Sequence, residues 1–369
     1  MEAVTEPVMI ERAENLLDLS PDRAISRLRE WMTEKGEPSY RAEQVFARLW
    51  EKPVHGFEDM TELPKALRVS LSVQFVLPRL SLVDRRHSAD GTQKFLFQLH
   101  DGQTIETVSI PEENRLTLCI SSQAGCALRC AFCATGAMGF QRQLTPSEIA
   151  GQVRELRLLD PPLEATNIVF MGMGEPMMNW KNVDPTLTLL NDPRALGIGA
   201  RHITISTVGI LPGIVALSNR KEQFRLALSI HAPTEELRQT LMPVNTRYSL
   251  TEVIDAARAF DRRVTFEYVM LQGVNDKPEH ARQLAELAKD CRAFVNLIPL
   301  HPGGSMGFTP TSKSTIAAFA HTLRSRGVET ATRRSRGLDI AAACGQLRTE
   351  RLGRRLPVEP QQNGDVHEV

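Results

Sequence analysis

The chain has 369 residues, a formal net charge of zero and 42% hydrophobic residues. This length suits one large domain with an accessory module, or two domains, and the apolar content can build a sizeable core. No apolar stretch approaches the length of a transmembrane helix, and the acidic amino terminus lacks the pattern of a signal peptide. Composition therefore argues against a membrane protein and favours a cytoplasmic one. In such a protein, six cysteines indicate metal or redox chemistry rather than a disulfide scaffold.

The first third of the chain predicts two small modules. Residues 1–10 have the composition of a disordered start, and residues 15–75 show helical spacing, with Ser20 as an N-cap and Pro21 at the first helical position. We therefore predict a helical accessory module at 1–78. Period-two runs with turn signals at Asp90-Gly91 and Asp101-Gly102 then predict a short β-meander linker at 79–111.

From residue 112 to 347 apolar runs alternate with helical stretches. The alternation predicts an α/β core with a parallel sheet and outer helices. A partial (β/α)6 barrel fits better than a doubly wound sheet, because no dinucleotide-type glycine fingerprint follows the first strand. The tail, 348–369, is basic and then polar, and we predict partial disorder there. The six runs are LTLCIS, NIVFMGM, HITISTVG, FRLALSIH, RVTFEYVML and FVNLIPLH.

Polar and sulfur-bearing residues cluster where the predicted strands end. In barrels of this kind, functional groups collect at the carboxyl ends of the strands. We therefore expect these residues to form one site. They are Cys126, Cys130 and Cys133 after the first strand, Gly172, Gly174 and Glu175 after the second, Ser206 and Thr207 after the third, Ser229 and His231 after the fourth, and His301 after the sixth.

Three cysteines, Cys126, Cys130 and Cys133, lie within eight residues. Structural zinc sites use four ligands, usually as two separated Cys-x-x-Cys pairs, and no further Cys or His follows here at that spacing. Three thiolates on a four-iron cluster leave one iron free to bind a substrate or cofactor. The spacing therefore favours an iron–sulfur cluster over zinc or buried thiols.

The spacing Cys-x3-Cys-x2-Cys after a first barrel strand, with Phe132 before the last cysteine, resembles the signature of radical S-adenosylmethionine (SAM) enzymes. The resemblance implies one [4Fe-4S] cluster per chain, with SAM bound to its open iron and cleaved by one-electron reduction. MGMGEP resembles the SAM motif of the second strand in that family, in which Gly174 would let the backbone approach SAM closely and Glu175 would accept hydrogen bonds from the SAM ammonium group.

The resemblance narrows to the RlmN-type RNA methyltransferases. IETVSIPEENRLTLCISSQAGC, GMGEP, LSIHAP, LMPVNTRY, EYVMLQGVND, NLIPL and IAAACGQL follow the order seen in that family, and PSYRAEQVFARLW resembles its amino-terminal module. The resemblance implies methylation of carbon 2 of adenosine 2503 in 23S rRNA, and in some members of adenosine 37 in tRNA. Carbon 2 is not nucleophilic, which explains the need for radical chemistry.

The family pattern assigns roles to three residues outside the cysteine triplet. Cys344 matches the cysteine that takes a methyl group from one SAM and, after activation by a second, becomes linked to the adenine. Cys119 matches the cysteine that resolves this link by forming a disulfide with Cys344, and Glu106 matches the proton acceptor. Cys291 matches no role, so we interpret it as a structural thiol at a helix end.

The same pattern implies further SAM contacts at Ser206, Ser229, Ile230 and His231. His301 occupies a position where family members commonly have asparagine, so that contact does not carry over unchanged. The implied partners are 23S rRNA, tRNA as the second substrate of some family members, and an electron donor such as flavodoxin or ferredoxin. No membrane partner is implied, and we expect a monomer.

The carboxyl-terminal region is basic. Residues 313–355 hold ten Lys or Arg and three Asp or Glu, including Arg333, Arg334 and Arg336. This run is either a solvated face or a surface that contacts RNA phosphates, and charge alone does not decide between them.

Three alternative functions stay open at this point. A Cfr-type enzyme would use the same cysteines to methylate carbon 8 of the same adenosine. A radical SAM enzyme with a substrate other than RNA shares the cysteine triplet but does not need the pair Cys119 and Cys344. A zinc-binding RNA module would hold metal without sulfide.

Overall fold

The computed structural model describes residues 13–300, 307–334, 336–342 and 345–347. Besides short 3-10 turns, the described residues form eleven helices, of which those at Ala134–Met138, Glu235–Leu241 and Lys313–Ser325 were not among the predicted helical stretches. The helices are α1 (Pro21–Glu34), α2 (Arg41–Trp50), α3 (Lys65–Gln74), α4 (Ala134–Met138), α5 (Pro146–Arg157), α6 (Trp180–Asn191), α7 (Leu211–Ser218), α8 (Glu235–Leu241), α9 (Leu250–Ala259), α10 (Pro278–Asp290) and α11 (Lys313–Ser325).

The strands include all six of the predicted apolar runs. Two very short strands near the amino terminus pair only with each other. The strands are β1 (Glu14–Asn15), β2 (Phe75–Val76), β3 (Ser81–His87), β4 (Gln93–Gln98), β5 (Thr104–Glu112), β6 (Arg115–Cys119), β7 (Gln123–Gly125), β8 (Phe140–Gln143), β9 (Asn167–Phe170), β10 (Ile203–Thr207), β11 (Arg225–Ser229), β12 (Val264–Met270), β13 (Phe294–Pro299) and β14 (Thr330–Thr332).

A ten-stranded sheet forms the core, in the order β14-β13-β12-β11-β10-β9-β6-β5-β4-β3. Seven neighbouring strands of this sheet run parallel to one another: β6, β9, β10, β11, β12, β13 and β14. Helices connect most of them, so the predicted α/β class is confirmed. Within the described residues β14 and β3 do not pair with each other, so the barrel is partial and open.

The sheet differs from the sequence prediction in two respects. β14 adds a seventh parallel strand beside β13, from Val295↔Thr330 to Leu297↔Thr332. The meander of β3, β4 and β5 is present and antiparallel, and its last strand pairs directly with β6, from Val108↔Cys119 to Glu112↔Arg115. The meander therefore extends the core sheet.

The chain divides into two compact units. The described part of the first comprises residues 13–80, 145–164 and 181–198, and the second takes the rest. The domain boundaries drawn from the sequence stay a prediction, and the predictions for residues 1–10 and 348–369 lie outside the described residues.

In the first unit a buried arginine ties α5 to the last turn of α2 and to the segment after it. The fully buried guanidinium of Arg154 donates to the carbonyl oxygens of Leu49, at 2.8 Å, and Val54, at 2.6 Å. The bond to Leu49 satisfies a carbonyl in the last turn of α2, where no intrahelical donor remains. Ser20 precedes α1 as predicted, but its side chain makes no capping hydrogen bond.

No helix among the described residues combines the length and the apolarity that spanning a bilayer requires.

Candidate active site

A cavity of about 160 Å³ lies at the carboxyl ends of the parallel strands in the second unit. All three clustered cysteines line it, together with residues that follow β9, β10 and β11. This is the convergence that the sequence predicted. The predicted residues in its lining are Cys126, Cys130, Cys133, Gly172, Gly174, Glu175, Ser206, Thr207, Ser229 and His231.

The cysteine loop is held by backbone hydrogen bonds. β7 and β8 form an antiparallel hairpin that brackets it, which the sequence analysis missed. The Cys126 N–H donates to the Gly139 carbonyl at 3.0 Å, and the Ala131 N–H donates to the Leu241 carbonyl at 2.9 Å. The loop is therefore anchored at its base and near its middle.

The environment of the thiols suits a metal centre. Burial raises the pKa of Cys126 to about 12 and also raises that of Cys130, so both sites disfavour a bare thiolate. A cationic metal offsets this cost, because a coordinating thiol is deprotonated. Across the described ranges, no three Cys, His, Asp or Glu side chains converge around a single metal ion. A four-iron cluster binds each thiolate to a different iron, so it fits three cysteines spread around one cavity.

Gly174 brings the backbone close to a neighbouring strand. Its φ is +99°, and a Cβ there would lie 2.5 Å from Cβ of Gln123. The Gln123 side chain in turn accepts from the Glu175 N–H at 2.8 Å. Only glycine fits this position without strain, and it sets the direction of the next residue.

Glu175 is a buried carboxyl with polar support. Its side chain is 3% exposed and accepts from the N–H groups of Met177, at 3.0 Å, and Val208, at 2.9 Å. Burial raises its pKa to about 7 despite these hydrogen bonds, which act in the opposite direction. A cationic ligand in the cavity would find a matching anion here.

His231 is fixed in a neutral form. Its φ is +55°, and its Nδ1 accepts from the Val269 N–H at 3.0 Å, which leaves the proton on Nε2. Burial, with a smaller contribution from Arg238, lowers its pKa to about 3. The ring meets Phe132 edge to face at 4.7 Å, so the aromatic residue of the cysteine loop orients it.

Ser206, Ser229 and Ile230 differ in what they offer. Both serines line the cavity at the ends of β10 and β11. Ile230 is fully buried and is not part of the lining, and its N–H donates to the Glu267 carbonyl at 3.1 Å. Ile230 therefore acts on this site through its backbone, which positions Ser229 and His231 on either side of it.

Glu267 is a site residue that the sequence analysis missed. It lies within β12, lines the cavity, and accepts from Asn296 Nδ2 at 2.9 Å. Burial raises its pKa, while the charge of Arg333 acts to lower it. A glutamate in the apolar run RVTFEYVML was the available signal, since buried charges are rare without a role.

A second and larger cavity, of about 880 Å³, runs along the inner face of the sheet; we call it the lumen. Arg115, Thr117 and Cys119 line it from β6, as expected for alternate residues of one strand. Cys119 is the last residue of β6 and is 6% exposed. The two cavities share three lining residues, Met171, Ile298 and Arg333.

Glu106 lies on β5, and its side chain pairs with Lys94 rather than lining either cavity. Lys94 Nζ lies 3.0 Å from Glu106 Oε1 and donates to the Ala341 carbonyl at 3.2 Å. Glu106 is thereby connected to the segment that precedes Cys344.

Cys344 and His301 lie outside the described residues. Near Cys344 in the chain, Ala342 and Leu347 line the lumen and Gly345 lines the cysteine cavity. The Gly345 carbonyl accepts from the Ala134 N–H at 2.8 Å. Cys291 is half-buried and donates to the Ile254 carbonyl at 3.6 Å.

A cysteine loop after the first parallel strand, facing a cavity at the strand ends, is the arrangement of a radical SAM enzyme. Residues 120–285 match the family model described as the Radical SAM superfamily. Residues 14–77 match the model described as the ribosomal RNA large subunit methyltransferase N-terminal domain.

Relatives that match nearly the whole chain identify the family within the radical SAM enzymes. A probable dual-specificity RNA methyltransferase RlmN from Gemmatimonas aurantiaca is 74% identical over 353 residues, covering 96% of this chain and 98% of the relative. The protein of that name from Bacillus subtilis is 43% identical over 332 residues, covering 88% and 92%. A radical SAM methyltransferase from Sphaerobacter thermophilus, known as a crystal structure, superposes with a TM-score of 0.84 at 42% identity, covering 91% of this chain and all of that one. The chain belongs to the RlmN family of radical SAM methyltransferases.

Family membership confirms the resemblance found in the sequence. It also gives the cofactors, a [4Fe-4S] cluster and SAM, which the three thiols that line the cavity and the Glu175 carboxyl fit.

Proposed function

We propose that this enzyme methylates carbon 2 of adenosine 2503 in 23S rRNA, and carbon 2 of adenosine 37 in some tRNAs. The observation that supports this most directly is that Cys119 lines the lumen, which shares lining residues with the cysteine cavity. Relatives named dual-specificity RNA methyltransferases support an RNA substrate, and the matched amino-terminal model carries ribosomal RNA in its description.

The iron–sulfur cluster would be held by Cys126, Cys130 and Cys133, and Glu175 would accept hydrogen bonds from the SAM ammonium group. When bound, SAM supplies the methyl carbon and the cluster supplies one-electron chemistry. Ser206, Ser229 and the neutral His231 would hydrogen-bond the rest of SAM. The low pKa of His231 keeps its ring uncharged, so it would not repel a cationic SAM.

Cys344 would carry the methyl carbon and link it to the adenine. Cys119 would then attack the Cys344 sulfur, so that a disulfide forms while the bond between that sulfur and the RNA-linked carbon breaks. The proton of the Cys119 thiol ends on the new methyl group, which balances the step. A thiol reductant must reopen the disulfide before the next turnover.

Glu106 would accept the proton that carbon 2 loses once the adenine is linked to the enzyme. A carboxylate is a suitable base for such a step. Glu106 forms an ion pair with Lys94, which also donates to the Ala341 carbonyl. These contacts support a role for Glu106 near the segment that carries Cys344.

The electron would come from a flavodoxin or ferredoxin. The enzyme would act as a monomer in the cytoplasm, where its RNA substrates are made.

Anaerobic reconstitution with methyl-labelled SAM and unmodified rRNA or tRNA tests the function. Digested RNA should contain labelled 2-methyladenosine when analysed by mass spectrometry. Finding 8-methyladenosine alone would refute the proposal in favour of the Cfr-type reaction, and label in neither RNA would point to another substrate. Iron and acid-labile sulfide should accompany the purified protein, whereas zinc without sulfide would contradict it.

A further inference from the structure

Four arginines mark the amino-terminal edge of the parallel sheet. Arg115 and Arg225 are the first residues of β6 and β11, Arg263 immediately precedes β12, and Arg201 lies in the turn Ala200–His202 before β10. Because these strands are parallel and adjacent through β9, all four residues lie at one edge. All four are exposed. We call them the arginine rim.

The rim is short of negative charge. Arg115 pairs with Glu112, and Glu113 is the other carboxylate that lines the lumen at this edge. Arg263 stacks over Phe294, at 5.2 Å from the ring centroid, and among the described residues neither Arg201 nor Arg225 has an acidic partner.

The arginines also crowd one another. The pKa of Arg225 is lowered first by burial and then by the charges of Arg263, Arg115 and Arg201. Guanidinium groups gathered at one edge of a sheet repel one another unless a ligand supplies negative charge, and phosphate matches their fork-shaped donors.

The rim opens into the lumen. Arg115, His202 and Arg225 line the same cavity as Cys119, and so does Thr204, which lies opposite Arg225 in the pairing of β10 with β11. The volume, about 880 Å³, lies in the usual range for small-molecule sites and is ample for one nucleotide. The opposite, carboxyl-terminal ends of the strands face the cysteine loop and the cavity assigned to SAM.

We infer that RNA places its phosphates on the arginine rim and passes the target nucleotide into the lumen from the amino-terminal ends of the strands. The inference rests on the proposed function, which supplies the RNA, and adds the direction of entry and the residues that grip it. Barrel enzymes commonly bind substrate at the opposite ends. Here the base would reach Cys119 from one side while SAM occupies the other. An extruded base needs such a pocket, and basic residues around its mouth hold the flanking backbone.

Charge reversal at the rim tests the docking surface. Arg201→Glu and Arg225→Glu are compared, in the reconstituted holoenzyme, with the matched control Arg282→Glu, which changes an exposed arginine on α10. Each rim variant should bind a 23S rRNA fragment roughly tenfold more weakly, and its salt slope should be shallower by about one for each phosphate that the protein no longer neutralises. SAM affinity should not change, and Arg225→Lys, which keeps the charge but loses the fork-shaped donors, should recover part of the RNA affinity.

Filling the lumen tests the direction of entry. Thr204→Trp should keep RNA affinity, since the rim is intact, but should abolish RNA methylation because the base cannot pass. Rim variants that match Arg282→Glu in affinity and salt slope would overturn the docking surface, and wild-type methylation by Thr204→Trp would overturn the route. Failure of the proposed function is distinct from both, because the wild-type enzyme would then form no 2-methyladenosine.

Discussion

Lys94 and Glu106 form an ion pair inside the protein, with Nζ and Oε1 separated by 3.0 Å and the two side chains 7% and 5% exposed. The pair joins neighbouring strands, β4 and β5, and Lys94 extends the connection to the Ala341 carbonyl. Breaking a buried ion pair by removing one partner typically costs about 3–5 kcal/mol.

Lys94→Met should therefore lower the free energy of unfolding by about that amount, measured by urea denaturation of the cofactor-free protein. Adding Glu106→Gln removes the carboxylate charge that Lys94 had balanced, so the double variant should recover a large part of the loss. Wild-type stability of Lys94→Met would show that the ion pair does not matter for folding.

The raised pKa of Glu175 predicts a pH dependence. Burial raises it to about 7 from the ordinary value of 4.5. A carboxyl with a raised folded-state pKa contributes stability that is fully present below pH 4.5 and is lost as pH rises towards 7. Glu175→Gln stays neutral, so at pH 8 it should stabilise the cofactor-free protein by up to about 3 kcal/mol, and at pH 4.5 by almost nothing.

SAM binding should show the complementary effect. If the Glu175 carboxylate receives the SAM ammonium group, wild-type affinity should rise between pH 6 and 8 as the carboxyl ionises, whereas Glu175→Gln should bind weakly with a flat profile. Calorimetric titration at several pH values measures both. The same slope in both proteins would assign the titration to another group.

Local sequence signals predicted most of the fold. Long apolar runs such as RVTFEYVML predicted each central strand, because a strand buried on both faces needs continuous apolar residues. β14 was missed because it has only three residues, which are partly exposed, so it gives no apolar run in the sequence. It is recognised as a strand through its pairing with β13. β7 and β8 were missed because the cysteine loop separates them, so no local turn signal joins them.

The site was predictable where spacing carries the chemistry. Cys126, Cys130 and Cys133 are close in sequence, so their convergence follows from one loop. Arg201 and Arg225 become neighbours only through the pairing of β10 with β11, in which Thr204 lies opposite Arg225. A single sequence does not contain that register, and the arginine rim was therefore invisible in it.

Gly174 should tolerate substitution less well than a glycine in open space. Gly174→Ala adds both a strained φ of +99° and an overlap with Gln123, while Gly273→Ala adds only the strain of a φ of +72°. Gly174→Ala should therefore lose more stability, by about 1–3 kcal/mol beyond the control, and should bind SAM more weakly. Thermal unfolding and SAM titration of both variants measure the difference. Equal losses would mean that the loop can shift to accept a side chain.

Cys119 and Cys344 should have opposite phenotypes. Cys119→Ala removes the thiol that would release the product, so the enzyme should remain covalently bound to RNA, visible as a slow-migrating, nuclease-sensitive band in denaturing gels. Cys344→Ala removes the site of attachment, so it should give neither adduct nor methylated RNA. Cys291→Ala is the matched control, since that thiol lines neither cavity and donates to the Ile254 carbonyl, and it should behave as wild type. Free 2-methyladenosine from both Cys119→Ala and Cys344→Ala would contradict the methyl-cysteine mechanism, because neither the carrier nor the resolving thiol would then be needed.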